Sequence, residues 1–252
     1  MTFAVDDFAR RLADAQTSPT QLAFDEAGAP RDFGEAMQAQ AASVRRLGAD
    51  VGGFKLGFAA DGTPIAGPML RGMMTASPTC LVLPARGGLL AEIEIAFRLR
   101  QDLPVRAAPY LRDEVMAHVG EVLIGIEWLC TRLDARAAGH FPSWLADRLG
   151  NYGYVTGASV KIIEACDVRN LRTQMWVNGA KVHDKTGGHP QNDPILPLLA
   201  YANAQIDQLG GLKTGMVITT GSLTVPLLVN APCEISAEIE GLGKVAASVV
   251  LA

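Results

Sequence analysis

From residue 51 onward the chain alternates between apolar and polar positions in short runs bounded by Gly and Pro, the pattern of half-buried strands. Runs at residues 53–58, 79–84, 89–99, 122–129, 155–160, 173–177, 216–220, 233–239 and 244–251 predict strands. The clearest puts Ile93, Ile95, Phe97 and Leu99 on one face and Glu92 and Glu94 on the other. The N-terminal part has a different period. Val5, Phe8, Ala9 and Leu12 recur at helical spacing, and a second helix is predicted over residues 33–47, with Gly48 placed to stop it. Ser18-Pro19-Thr20 and Gly28-Ala29-Pro30 between them read as turns. A late helix is predicted to start at Asp193 as N-cap with Pro194 at its first position. It would bury Ile195, Leu198, Leu199, Ala202, Ile206 and Leu209 before Gly210-Gly211 ends it. Many strands with few helices predict an α+β fold: a helical N-terminal portion, residues 1–50, packed on a core of residues 51–252. No internal repeat or low-complexity linker interrupts it.

With 49% hydrophobic and 19% charged residues over 252 positions, the composition is that of a folded chain and excludes a disordered one. A net charge of -4, with basic residues scattered, offers no field for a nucleic acid backbone. Asp6 and Asp7 stand where a signal peptide needs positive charge, and no run reaches the ~18 to 20 apolar residues of a membrane span. The expectation is a cytoplasmic protein with no membrane partner. Cys80, Cys130, Cys166 and Cys233 form no CxxC or Cys/His cluster, so free thiols are expected instead of disulfides or zinc.

The chemistry-bearing feature is carboxylate spacing. Glu92 and Glu94 share a strand face, and Glu127 follows in Gly125-Ile126-Glu127-Trp128. Oxygen-only ligation of this kind suits a hard divalent cation, Mg²⁺ or Mn²⁺. From spacing alone the pair reads first as a solvated strand face offset by Arg98 and Arg100. No Ser/His/Asp or Cys/His constellation can be built, and the glycines between Asn151 and Gly157 do not form a phosphate-binding GxGxxG.

Six segments occur in a familiar order: Gly53-Phe54-Lys55-Leu56-Gly57, Ala91-Glu92-Ile93-Glu94-Ile95-Ala96-Phe97, Ile126-Glu127, Val177-Asn178-Gly179, Gly188-His189-Pro190 and Thr220-Gly221-Ser222-Leu223-Thr224. In this the chain resembles the 2-keto-4-pentenoate hydratase and 4-oxalocrotonate decarboxylase family of the fumarylacetoacetate hydrolase superfamily. The resemblance implies a mixed β-roll with flanking helices and a metal site at its mouth. It implies that Glu92, Glu94 and Glu127 hold Mg²⁺ or Mn²⁺ and that a small 2-oxo acid substrate chelates the ion. Lys55 would transfer a proton, its pKa depressed beside the metal. Ser222 and Thr224 would bind the substrate carboxylate, and His189 would be structural, while His140 and His183 read as solvated or locally bonded.

The activity expected on this basis is hydration of 2-hydroxy-2,4-dienoates in the breakdown of aromatic compounds. The alternatives are 2-oxo-3-hexenedioate (4-oxalocrotonate) decarboxylation, acylpyruvate hydrolysis, or a non-catalytic subunit beside a related pathway enzyme. A homo-oligomer is expected. The chain departs from the family at Phe58-Ala59-Ala60, at 67–74 where Arg71 enters, at Cys130-Thr131-Arg132 and at 147–152. Arg71 or Arg148 would be the cation for a second substrate carboxylate.

Overall fold

A computed structural model describes residues 3–84, 86–161 and 168–252; Cys166 of the expected free thiols lies outside these residues. Helix α1 (Val5–Asp14) turns Phe8, Ala9 and Leu12 inward, and α2 (Phe33–Arg46) follows after an extended stretch. The Asp32 side chain accepts the Glu35 N–H at 2.9 Å, and Glu35 accepts the Arg31 N–H at 2.8 Å, satisfying donors that a helix start leaves free. Gly48, at φ +59°, ends α2 as its place in the sequence predicts. Both helices pack through Phe8, Leu12, Ala36 and Met37 against Ile65, Leu133, Leu145 and Leu149.

Thirteen strands follow among the described residues: β1 (Val51–Phe58), β2 (Pro64–Leu70), β3 (Met74–Ala76), β4 (Thr79–Leu83), β5 (Leu90–Leu99), β6 (Val119–Leu129), β7 (Asn151–Lys161), β8 (Arg172–Val177), β9 (Ala180–Thr186), β10 (Val217–Ser222), β11 (Leu227–Leu228), β12 (Cys233–Ile239) and β13 (Gly243–Leu251). The large sheet runs β2-β1-β10-β5-β6-β7-β3, with β11 also on β5; the small sheet runs β4-β13-β12-β8-β9. Both mix parallel and antiparallel pairs, so the expected α+β class with a mixed β architecture is the one observed. The main core is the space between the sheets. Ile93, Ile95 and Phe97 of β5 with Ile124, Ile126 and Trp128 of β6 meet Ile235, Ile239, Val245 and Val249 there. Each such side chain, fully buried, contributes roughly 1.5 to 3 kcal/mol.

Two strands have no apolar alternation to announce them. β2 carries Pro64 and Pro68, and Pro is tolerated because β2 is an edge strand. β9 is an edge of the small sheet, exposed and polar, with Lys181, Asp184 and Lys185 facing solvent. Helices α3 (Arg112–His118) and α4 (Phe141–Ala146) are too short to show a period.

The late helix differs from its prediction. Helix α5 spans Leu196–Ala204, so Asp193 is not its N-cap; the Asp193 carboxylate pairs with Arg112 at 2.7 Å and accepts the Ile195 N–H at 3.2 Å. It ends five residues early because Gln205 turns left-handed, at φ +34°, and its side-chain amide donates to Leu103 O at 2.7 Å. Ile206 and Leu209 therefore belong to the turn after the helix, where Asp207 receives the Tyr201 hydroxyl at 3.0 Å.

Candidate metal centre

The face of β5 turned away from the core carries Leu90, Glu92, Glu94 and Ala96 in order, as a period of two requires. The neighbouring β6 lies antiparallel with Glu92 opposite Glu127 and Glu94 opposite Gly125. This register is what joins a Glu-x-Glu to a carboxylate 33 residues later. One oxygen from each of Glu92, Glu94 and Glu127 lies within 4.8 Å of the others, the sole such cluster of possible ligands among the described residues. Glu94 and Glu127 are buried.

Lys55 enters from β1, where Phe54 and Leu56 point into the core and the lysine points the other way. Its Nζ lies 3.0 Å from Glu127 Oε2, with the side chain 14% exposed. Burial pulls the ammonium pKa down, but Glu127, Glu92 and Glu94 together outweigh it and hold the pKa above the ordinary lysine value. Without an ion, then, Lys55 is a cation paired with Glu127; the depression expected of it belongs to the metal-loaded state. The carboxylates respond in the opposite sense. Burial raises Glu94 well above the usual carboxylate range, with Glu127 and Glu92 adding to it; burial also raises Glu92, offset by Lys55. With all four groups ionised, three carboxylates against one ammonium would put two negative charges in a largely desolvated place. An all-oxygen set with that charge fits a divalent cation, and supplying one removes the repulsion that raises both groups.

Two of the three carboxylates are gripped from behind. The Thr219 hydroxyl, on β10 opposite Ala96, donates to Glu94 Oε2. Asn151 at the start of β7 donates from Nδ2 to Glu127 Oε1 at 2.8 Å. Asn151 is itself fixed, since its carbonyl accepts from the buried Arg132 guanidinium at 2.8 Å and Arg132 is paired with Asp147. Tyr154 is fully buried on the same face, its ring so close over Gly125 that a Cβ there would meet the phenol oxygen at 2.1 Å. Glycine at 125 is what lets that ring sit beside Glu94 and Glu127. Asn151→Ala is expected to weaken Mn²⁺ binding about 10- to 100-fold, the range found when a residue supporting a metal ligand is lost. Calorimetric titration checks it, and unchanged affinity would show that Glu127 needs no such support.

Ser222 and Thr224 lie at the end of β10, next to Glu94 in register. Their hydroxyls are used locally: Ser222 Oγ donates to Thr224 O at 2.8 Å, and Thr224 Oγ1 accepts the Ile93 N–H at 3.2 Å. They clamp the β5 backbone between the two glutamates. His189 is buried and takes its Nε2 to Thr220 O at 3.1 Å, with Nδ1 accepting the Gln191 N–H, and burial lowers its pKa. It thus braces β10 as a neutral imidazole. Arg71 is exposed and donates to Val51 O at 3.3 Å, while Arg148 is buried and donates to Gln16 Oε1 at 2.6 Å. Burial beside Arg132 pushes Arg148 down to about 9. A cavity of about 480 Å³ opens next to Leu90 and Leu129, and neither Arg71 nor Arg148 lines it.

Thr219, Asn151, Tyr154 and the cavity were not foreseen. A strand threonine, a loop asparagine and a tyrosine carry no local signal, because their meaning comes from strands far apart in sequence.

A carboxylate triad and a paired lysine on the open face of a mixed sheet form a candidate centre for a divalent cation. The chain belongs to the fumarylacetoacetate hydrolase family: the model of its C-terminal domain matches residues 58–250. A 4-oxalocrotonate decarboxylase of Pseudomonas putida is 26% identical over 139 residues, 53% of this chain and 53% of that protein, so the match spans about half the length of that curated relative. Among solved structures, 4-oxalocrotonate decarboxylase from Pseudomonas putida G7, complexed with magnesium and adipate, has a TM-score of 0.82 at 21% identity, covering 98% of this chain and 97% of that one. Fumarylpyruvate hydrolase from Pseudomonas aeruginosa, in complex with Mn²⁺ and pyruvate, has a TM-score of 0.57 at 16% identity, covering 79% and 89%. These likenesses give the fold. Among the described residues no helix is long and apolar enough to cross a membrane.

Proposed function

We propose that this chain is a divalent-metal-dependent lyase of 2-oxo acids, with Mg²⁺ or Mn²⁺ held by Glu92, Glu94 and Glu127. The observation that carries the reading is the net charge of the cluster: three converging carboxylates met by one ammonium. The ion supplies Lewis-acid stabilisation of the negative charge that develops on the 2-oxygen of the substrate. Similarity to 4-oxalocrotonate decarboxylase supports loss of CO₂ from a 2-oxo-3-enedioate as the reaction. The electron pair of the broken C–C bond spreads over the conjugated carbons and the 2-oxygen. Lys55, whose Nζ lies 3.0 Å from Glu127, is the group placed to hand a proton to that anion. Thr219 and Asn151 keep Glu94 and Glu127 from swinging as charge moves. Ser222, opposite Glu94 in register, is the residue of the β10 turn that would meet the substrate carboxylate.

A second reading, hydration of a 2-hydroxy-2,4-dienoate, has one observation in its favour. No Lys or Arg among the described residues lines the cavity at Leu90 and Leu129, two residues along β5 and β6 from Glu92 and Glu127, and a monocarboxylate needs none there. In it Lys55 would protonate the terminal dienol carbon before water adds.

Lys55→Met is expected to keep the metal, and to hold it more tightly as a competing cation is removed, while turnover falls at least about 10²-fold, the lower range for a lost acid or base. The assay follows 2-oxo-3-hexenedioate and 2-hydroxypenta-2,4-dienoate by ultraviolet absorbance and product mass. Release of CO₂ from the first supports the decarboxylase and gain of water by the second the hydratase. Silence on both with metal bound would end the proposal.

A further inference from the structure

We infer that the substrate carries an apolar group of several carbons at the end remote from its 2-oxo acid, and that the cavity beside Leu90 and Leu129 receives it. The inference rests on the reading that the carboxylate triad holds an ion chelated by a 2-oxo acid, and of the two reactions above it goes with hydration of a monocarboxylate and against loss of CO₂ from an enedioate. Strand geometry gives the cavity its place. Leu90 and Leu129 are a cross-strand pair, and Glu92 and Glu127 are the same-face pair two residues along β5 and β6. The leucines therefore stand about 6.8 Å from the ligand pair on the same open face, within reach of a short carbon chain starting at the ion.

The other walls come from the segment after β6 and from α4. Leu133, Phe141, Trp144 and Leu149 complete an apolar lining around about 480 Å³, the lower range of cavities that take organic ligands. The polar side chains on it are Thr131, Asp134 and His140. Thr131 is bonded to the Leu133 backbone, and His140 is bonded to Ser143 at the start of α4. Asp134 is the one carboxylate, paired with Arg136 at 2.7 Å, whose side chain is 63% exposed and lies outside the lining. A second substrate carboxylate would enter this space against Asp134 and with no cation to meet it. A hydrocarbon group loses nothing there and gains from leaving water. The volume also exceeds what a lone carboxylate fills, so an alkyl or aryl extension is the occupant.

The test is calorimetric binding to the full chain loaded with Mn²⁺, using oxalate, 2-oxobutanoate, 2-oxooctanoate and 2-oxoadipate. Each buried methylene strengthens binding about fourfold, so 2-oxooctanoate is expected to bind on the order of 10²-fold tighter than 2-oxobutanoate, and tighter than 2-oxoadipate. Trp144→Ala, at a position 42% exposed and so tolerant of truncation, should remove about tenfold of that gain with oxalate affinity unchanged. Phe141→Ala provides a second variant of the same wall. Oxalate binding with no gain from the longer tail, or 2-oxoadipate bound as tightly as 2-oxooctanoate, overturns the inference and leaves the metal centre standing. No binding of oxalate by the Mn²⁺-loaded protein overturns the chelation reading itself, and the inference with it.

Discussion

Glu94→Gln is expected to abolish turnover and at the same time to raise the melting temperature of the metal-free protein at pH 8. The two effects share one cause. Glu94 is buried, its pKa driven up by burial and by Glu127 and Glu92, so its charged form is the most strained member of the cluster. Glutamine has the same shape, and its carbonyl oxygen can accept the Thr219 hydroxyl in place of Oε2. The substitution therefore removes a repulsive buried charge without opening a cavity or stranding a donor. What is lost is an anionic ligand. Activity should fall beyond the about 10- to 100-fold that supporting residues contribute, and the rise in melting temperature on adding Mn²⁺ should shrink or vanish. Thermal melts with and without Mn²⁺, beside the ultraviolet assay, check both halves. Normal turnover with a full metal-induced shift would remove Glu94 from the ligand set.

Stability of the wild-type protein without metal should decline as pH rises from about 6.5 to 8, above the range in which the lowered pKa values of His183 and His189 add stability with rising pH, and a divalent ion should reverse the trend. Glu94 and Glu92 both have folded-state pKa values above the ordinary one. Above the unfolded value near 4.3 the native chain then binds more protons than the unfolded chain, so the slope of unfolding free energy against pH is negative. The contribution is full below that value and lost as pH climbs through the raised folded values. Lys55 does not change the sign. Its raised pKa gives stability that is present throughout this window and lost only above pH ~10.4. Carboxylates held below their usual range, such as Asp184 through its hydrogen bond from Arg172, matter only below pH ~4. Binding at about 100 times the dissociation constant adds ~2.7 kcal/mol, or roughly 5 to 10 °C for a chain of this size. That increment should be large at pH 8 and small at pH 5, where protons compete for the same oxygens. Equal metal-induced shifts at both pH values would mean that the cluster is not the binding site.

Much of this was legible from local pattern. β5 shows its two faces in ten residues, α1 and α2 show their period, and Gly48 marks an end that φ confirms. The meeting of the three glutamates followed from family likeness and not from spacing, since only the β5–β6 register puts Glu127 opposite Glu92. Edge strands such as β9 escaped because a strand with two solvated faces has no alternation to read. The limits of α5 escaped because side-chain bonds of Gln205 and Asp207 stop the helix where hydrophobic spacing would carry it on. Asn151, Thr219 and Tyr154 gain their roles only once β7 and β10 are laid on either side of the β5–β6 pair.

That unbroken pairing also works as a ruler. From Leu90 opposite Leu129 to Arg98 opposite Glu121, β5 and β6 run without a slip, so the interval between the oxygen cluster and the leucine pair is counted in whole pleats. A longer or shorter substrate cannot be met by sliding a strand one residue, because that move would carry Ile93 and Ile126 out of the core and leave charge in their place. Changes in preferred length must come from the far wall, where Phe141 and Trp144 sit on a short helix outside the sheets. Relatives with this same strand pair should thus differ in reach through α4 and the segments flanking it, keeping one fixed end and one adjustable stop.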